Sequence, residues 1–229
     1  MTTRRRVYLV RHGAVSYFEP RRDDLGADDP PLNHEGVSQA EALGRLLVDA
    51  PIDLAICTGY RRTRQTAELA IAPRPLRIEV SEGLSEARTG TFEDIETAEE
   101  MESIFVGAFE NASEPGARFL TGETYADLWS RVGAAWQSLL SRSDWNQAFV
   151  AGHGVVNRTI LAQALDAGPQ IYRRLEQDTG CLNVLDIEGN GPDAHVAFVR
   201  LINFTPYNAI KLGMNRTTLE MLWQQFVGD

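Results

Sequence analysis

The chain has 229 residues, 43% of them apolar, and a formal charge of −10 from 22 basic and 32 acidic side chains, with a pI near 4.9. This length fits one α/β domain, or one domain with an insertion, and supplies enough apolar residues for a real core. The acidic balance argues against non-specific binding to nucleic acid or to a membrane surface, so an anionic substrate needs a local basic pocket on an acidic body.

The first predicted element is a strand over 6–11, built on the apolar run Val7-Tyr8-Leu9-Val10 and ending in Arg11-His12-Gly13, where the backbone must turn. Arg4-Arg5-Arg6 resembles the basic start of an export signal, but Arg11 cuts the apolar stretch too short for one. No window approaches a membrane span. Residues 14–33, with Glu19-Pro20, Asp23-Asp24 and Asp28-Asp29-Pro30-Pro31, read as a long polar loop beside His12. A helix over 34–49 and a strand over 53–57 follow. A helix over 60–72 opens with Tyr60-Arg61-Arg62-Thr63-Arg64. After a strand over 76–80 comes Leu84-Ser85-Glu86-Ala87-Arg88, and then a second irregular stretch, 88–122, with a weak helix near 95–109.

The clearest helix is 124–142, where Tyr125, Leu128, Trp129, Val132, Trp136, Leu139 and Leu140 recur at helical spacing. A strand over 147–152 ends in Gly152-His153-Gly154, the same setting as His12. The last elements are a helix over 154–167, strands over 181–187 and 194–201, and a helix over 216–227. Alternating strands and helices imply βαβ units and a mainly parallel sheet covered on both faces. Cys57 and Cys181 make neither a disulfide framework nor a zinc site. Both fall in strand-like segments, which predicts buried free thiols and a reducing, cytoplasmic setting.

Ligands bind in open α/β sheets at the carboxyl ends of strands, so His12 and His153 are expected to face one another across one site. A lone histidine after a strand is an ordinary turn residue; the repeated context and the neighbouring segments argue for more. A helix N-terminus carrying arginine favours an anion, and a guanidinium binds phosphate in bidentate fashion. A solvated helix face accounts for Arg64 and for one of Arg61 and Arg62. Glu86, by itself an ordinary surface glutamate, stands at a third strand end as a candidate general acid.

Two histidines, two arginines and a glutamate suit phosphoryl transfer. One neutral imidazole attacks phosphorus to give a phosphohistidine, a glutamic acid protonates the leaving oxygen, and water then hydrolyses the intermediate. The second histidine hydrogen-bonds the equatorial oxygens. Arginines and histidines supply the positive charge, so no metal and no cofactor is expected. The acidic loop at 23–29 is the one magnesium candidate.

These segments resemble the histidine phosphatase superfamily, the phosphoglycerate-mutase-like branch 1. The resemblance rests on six ordered motifs across about 5–190. They are Leu9 to Gly13, Pro31 to Ala40, Thr58 to Ala67, Leu84-Ser85-Glu86 with Gly90 to Glu93, Gly122-Glu123-Thr124, and Gly152-His153-Gly154. It implies a three-layer α/β/α sandwich with a mainly parallel central sheet, a small helical cap insertion at about 88–122, and a C-terminal extension at about 203–229. It implies His12 as phospho-acceptor, Glu86 as proton donor and His153 as second catalytic histidine. Arg11 and Arg62 become the phosphate-binding arginines, Arg61 falling on the more variable position, with Gly154 and Ser16 as further substrate-binding residues.

The chain departs from the pattern at several positions. Val15 and Phe18 stand where many members carry Ser or Thr and Asn, while Thr58, Asn33 and Asp94 replace serine, threonine and glycine. Val155 follows the second histidine where mutases have asparagine, and the mutases' long basic insertion segment is absent. The expected activity is therefore phosphomonoester hydrolysis on a small phosphorylated substrate, with a mutase-type isomerase or a non-catalytic phosphate-ligand-binding protein as alternatives. Oligomeric state stays open, a homodimer included. The tail from Asn203 to Arg216 reads first as core packing, with a dimer contact or a substrate wall as alternatives. His34 is expected at an exposed helix start, His195 in a structural role, and Arg88 near a substrate's anionic group. Specificity is expected from 14–33 and 88–122.

Overall fold

The computed structural model describes residues 4–17, 29–72, 74–93 and 95–227. Among these, six strands form one sheet: β1 (Arg5–Arg11), β2 (Leu54–Cys57), β3 (Ile78–Val80), β4 (Gln147–Gly152), β5 (Leu182–Glu188) and β6 (His195–Phe204). Their order is β3-β2-β4-β1-β5-β6. The first four in that order run parallel, whereas β5 runs antiparallel to β1 and β6 antiparallel to β5.

Successive strand side chains point to opposite faces, and this alternation divides the core. Val7 and Leu9 enter one apolar cluster; Tyr8 and Val10 enter another. Helices α1 (His34–Leu46) and α2 (Arg61–Ile71) cover the Tyr8 face with Leu43, Ala67, Ala70 and Ile71. On the Val7 face, α4 (Tyr125–Leu140) and α5 (Gly154–Ala164) bring Leu128, Val132, Trp136, Ile160 and Leu161. The result is the three-layer α/β/α arrangement. Cys57 and Cys181 are buried free thiols, and no helix among the described residues is long and apolar enough to cross a membrane.

Two glycines set the turn after β1 against the start of α1. A Cβ on Gly36 would lie 2.1 Å from the carbonyl oxygen of Ala14, and one on Gly13 would lie 2.5 Å from that of Gly36. Asn33 caps α1 by accepting from the Gly36 N–H at 2.9 Å. Val15 is buried, bridges to Leu32 and packs with Ala40. A valine at this position closes a small apolar cluster where a hydroxyl would have no such role. Phe18, Asp94 and the acidic stretch 18–28 lie outside the described residues.

The insertion carries α3 (Ala98–Val106), started by a capping box between Thr97 and Glu100. The C-terminal α6 (Thr218–Val227) packs on it through Phe105, Trp223 and Phe226. The expectation that the stretch from Asn203 to Arg216 packs in the core needs correction: Thr205 is its one buried residue, while Ile210 and Leu212 are 82% and 78% exposed. No residue of α6 is fully buried; Leu219, Leu222 and Trp223 lie only at the core's edge, and the inner face of the helix borders the cleft described next. His34 and His195 both lie exposed.

Candidate active site

The sheet register places the two motif histidines together. β1 and β4 are parallel neighbours with Arg11 opposite Gly152, so His12 and His153 leave the sheet at the same end of adjacent strands, about 4.8 Å apart as strand spacing dictates. The His12 N–H donates to the Gly152 carbonyl at 3.1 Å. The imidazole centroids are 5.4 Å apart with planes inclined at 68°. Both side chains are buried, at 2% and 0% exposure.

Hydrogen bonds fix the proton on each ring. Nδ1 of His12 lies 2.8 Å from the Gly13 carbonyl oxygen. A carbonyl only accepts, so Nδ1 carries the proton and Nε2 keeps a lone pair. For His153 a hydroxyl relay does the same. Thr63 donates to the Tyr60 carbonyl at 2.8 Å, so Thr58 donates to Thr63 at 3.0 Å and accepts from Nε2–H of His153 at 2.8 Å. This leaves Nδ1 of His153 bare and buried, without a hydrogen-bond partner among the described residues. Burial, and then the positive charges of Arg62 and Arg11, push His12 well below the usual imidazole value of 6.5. Burial first, then Arg62, His12 and Arg11, does the same for His153. Both rings are therefore neutral near pH 7.

Three guanidinium groups surround this pair. Arg62, in the first turn of α2, is buried with its guanidinium 4.4 Å over the Tyr60 ring, whereas Arg61 is exposed. The Asp29 carboxylate accepts from the Arg61 N–H at 2.8 and 3.0 Å and from Arg62 Nη1 at 3.4 Å. Arg11 donates through Nη1 to the Gln177 carbonyl and, at 3.0 Å, to Thr218 Oγ1. Arg158 of α5 donates to the Gly154 carbonyl at 3.1 Å, pairs with Glu176 at 3.1 Å and lies 4.6 Å over the Phe109 ring. A Cβ on Gly154 would lie 3.5 Å from Arg11 Cζ and 3.4 Å from Arg158 Nη1. The glycine thus leaves the space between the two cations open.

Glu86 reaches the same place from beyond β3. One carboxyl oxygen accepts from the Ala87 N–H at 3.0 Å and the other from the Val155 N–H, at the N-terminus of α5, at 3.3 Å. Behind it, Glu123 of the fifth motif is buried against Arg131 at 2.7 and 3.0 Å. Arg131 also donates to the carbonyls of Gly83 and Ser85 at 3.0 and 2.9 Å, so this pair pins the turn that carries Glu86.

Arg11, His12, Arg62, Glu86, Gly154 and Arg158 all line one cleft of about 580 Å³, with His153 beneath in ring contact with His12 and Tyr60. Ser16 does not join them: it lines the adjoining groove, of about 1520 Å³. Arg88 lines the cleft, but its guanidinium stands 3.6 Å from Glu123. Among the described residues no group of three or more His, Cys, Asp or Glu side chains is placed to hold a metal ion.

Sequence reading missed Arg158, Glu176 and Thr218. The available signal for Arg158 was a lone charge, one turn after Gly154, in a helix with no other charged residue.

The family model for the histidine phosphatase superfamily (branch 1) matches residues 7–199. A protein of Arabidopsis thaliana named probable 2-carboxy-D-arabinitol-1-phosphatase is 31% identical over 215 residues, covering 92% of this chain and 44% of that protein. The chain thus spans less than half the length of that relative. A probable phosphoglycerate mutase GpmB of Proteus mirabilis (strain HI4320) is 27% identical over 186 residues, 80% of this chain and 86% of that one. The crystal structure of the alpha-ribazole phosphatase from Shigella flexneri shares the fold, with a TM-score of 0.66 at 22% identity over 86% of this chain and 96% of that chain. With its motifs gathered around one cleft and the family model spanning most of its length, the chain belongs to branch 1 of the histidine phosphatase superfamily.

Proposed function

We propose that the protein is a metal-independent phosphomonoester hydrolase that works through a phosphohistidine on His12. The observation that carries this reading is the tautomer of His12: its Nδ1 proton is held by the Gly13 carbonyl at 2.8 Å, which aims an unprotonated Nε2 away from that bond in a cleft ringed by cations. Arg11, Arg62 and Arg158 bind the phosphoryl oxygens and offset their charge. Nε2 of His12 attacks phosphorus as the bond to the leaving oxygen breaks, and the Glu86 carboxyl gives that oxygen its proton. Glu86, now a carboxylate, takes a proton from a water whose oxygen attacks phosphorus. The P–N bond breaks, phosphate leaves, and His12 returns to its starting state. The bare Nδ1 of His153 takes up the proton that a singly protonated phosphate ester brings, donates to an equatorial oxygen while charge rearranges, and returns the proton to phosphate as it leaves.

The test is phosphate release from a phosphomonoester panel in the presence of EDTA, comparing wild type with His12→Ala. The expected loss in the variant exceeds about 10³-fold, and rapid quenching of the wild type should trap an acid-labile, base-stable phosphate on His12. Equal activity in His12→Ala rejects the reading. The Proteus mirabilis relative supports a second reading, an isomerase, which predicts phosphoglycerate interconversion without net phosphate release. Phosphate-ester binding with neither reaction would mark a non-catalytic binding protein.

A further inference from the structure

We infer that the substrate's leaving group is a bulky apolar or aromatic alcohol, held in a wall that α6 completes; this rests on the hydrolase reading above. The cleft has two chemically distinct ends. Arg11, Arg62 and Arg158 gather at the histidine end, and Phe109, whose ring lies under the Arg158 guanidinium at 4.6 Å, marks the junction. Beyond it the lining is Phe92, Phe105 and Phe119 from the insertion, and Leu219, Leu222 and Phe226 from α6. Phe105 is the centre of this wall, stacked on Phe92 at 5.6 Å and on Phe226 at 5.6 Å. Helix α6 lies wholly beyond residues 7–199, the span the family model matches, so half of the wall comes from a segment outside that span.

The size and charge of this far end point the same way. A cleft of about 580 Å³ falls in the range, about 300–1,000 Å³, that holds ligands much larger than a phosphate. Among the described residues lining it, Arg88 is the one further cation, and it faces Glu123. Glu35 adds a carboxylate at the rim. A leaving group carrying its own carboxylate would lose hydration against the phenyl rings, and among the described lining residues beyond the histidine end only Arg88, already beside Glu123, is there to pair with it, which is costly. A ring-bearing leaving group would instead bury apolar surface and stack.

The experiment compares kcat/KM for 1-naphthyl phosphate and 3-phosphoglycerate in wild type, Leu222→Asp and Leu219→Asn, with circular dichroism to confirm folding. Both positions are only partly buried, and two variants guard against one failing to fold. Wild type should prefer the naphthyl ester by more than about 30-fold, and Leu222→Asp should cut that ester's kcat/KM by about tenfold or more, mainly through KM, while leaving 3-phosphoglycerate within about threefold. Equal or better use of 3-phosphoglycerate by wild type, or an equal loss on both substrates in folded variants, overturns the inference. If no ester is hydrolysed, the hydrolase reading fails and the wall is judged by calorimetry. Tighter binding of naphthylmethylphosphonate than of methylphosphonate, by about tenfold and lost in Leu222→Asp, supports it; equal affinities overturn it.

Discussion

The hydroxyl of Thr218 joins the C-terminal helix to the histidine end of the cleft. It accepts from Arg11 Nη1 at 3.0 Å and donates to Glu176 at 2.5 Å, and Glu176 in turn pairs with the buried Arg158 at 3.1 Å. Two of the three guanidinium groups around the histidine pair are thus held through one side chain. Thr218→Val removes the acceptor from Arg11, and the expected loss in kcat/KM is about tenfold, the size of one hydrogen bond to a charged group. Thr218→Ser keeps the oxygen and should restore activity to within about twofold. A role in helix packing alone would give the opposite pattern, a lower melting temperature with kcat/KM intact and no rescue by serine. The sequence could not announce this residue. Arg11, His12, Arg62, Glu86 and His153 sit in recognisable segments at strand ends. Thr218 reaches the site only because the chain returns to it after β6, and Glu176 because the segment between α5 and β5 passes it; no local pattern encodes either.

At the scale of the element, Glu123 ties the insertion to α4 and, through Arg131, to the turn after β3. Burial alone would raise its carboxyl, but the hydrogen bonds and charge of Arg131, with help from Arg88, hold it below its ordinary value of 4.5. The stabilisation is therefore fully present above about pH 4.5 and is lost as pH falls through the lower folded value. Glu123→Gln should cost about 1.5–3 kcal/mol in urea unfolding at pH 7, with a smaller difference from wild type at the acid end. Because Arg131 also holds the carbonyls of Gly83 and Ser85, the same variant should lower kcat by releasing the turn that carries Glu86. Equal stability at pH 7 would refute this account. Element types were legible because hydrophobic periodicity is local: the predicted strand over 147–152 is β4, and the predicted helix over 124–142 holds α4. Strand order, the reversed β5 and the seating of α6 on α3 depend on long-range contacts, which periodicity does not carry. A helix was readable near 216–227 from its apolar spacing, but its position over the cleft was not.

At the scale of the whole molecule, a body with a charge of −10 keeps a cationic cleft by burying two imidazoles that stay neutral. The cations that would bind phosphate are the same ones that, after burial, depress His12 and His153. In the unfolded chain each histidine takes up a proton near pH 6.5, while the folded protein does not until well below that. The unfolded state then binds more protons than the folded one, so stability falls as pH drops from 6.5 toward 5. Each such histidine adds a slope of up to about 1.4 kcal/mol per pH unit. His34 and His195 are exposed and stand apart from this cluster of cations. Unfolding free energies measured across pH 5–7 should show the two-histidine slope in wild type and about one proton less in His12→Asn. Sulfate, a dianion across this whole range, should flatten the wild-type curve by favouring the charged form of His153. A slope identical in wild type and variant, with or without sulfate, would mean that these rings are not held neutral in the folded protein. The His12 nucleophile would then lose the lone pair on which the proposed reaction depends.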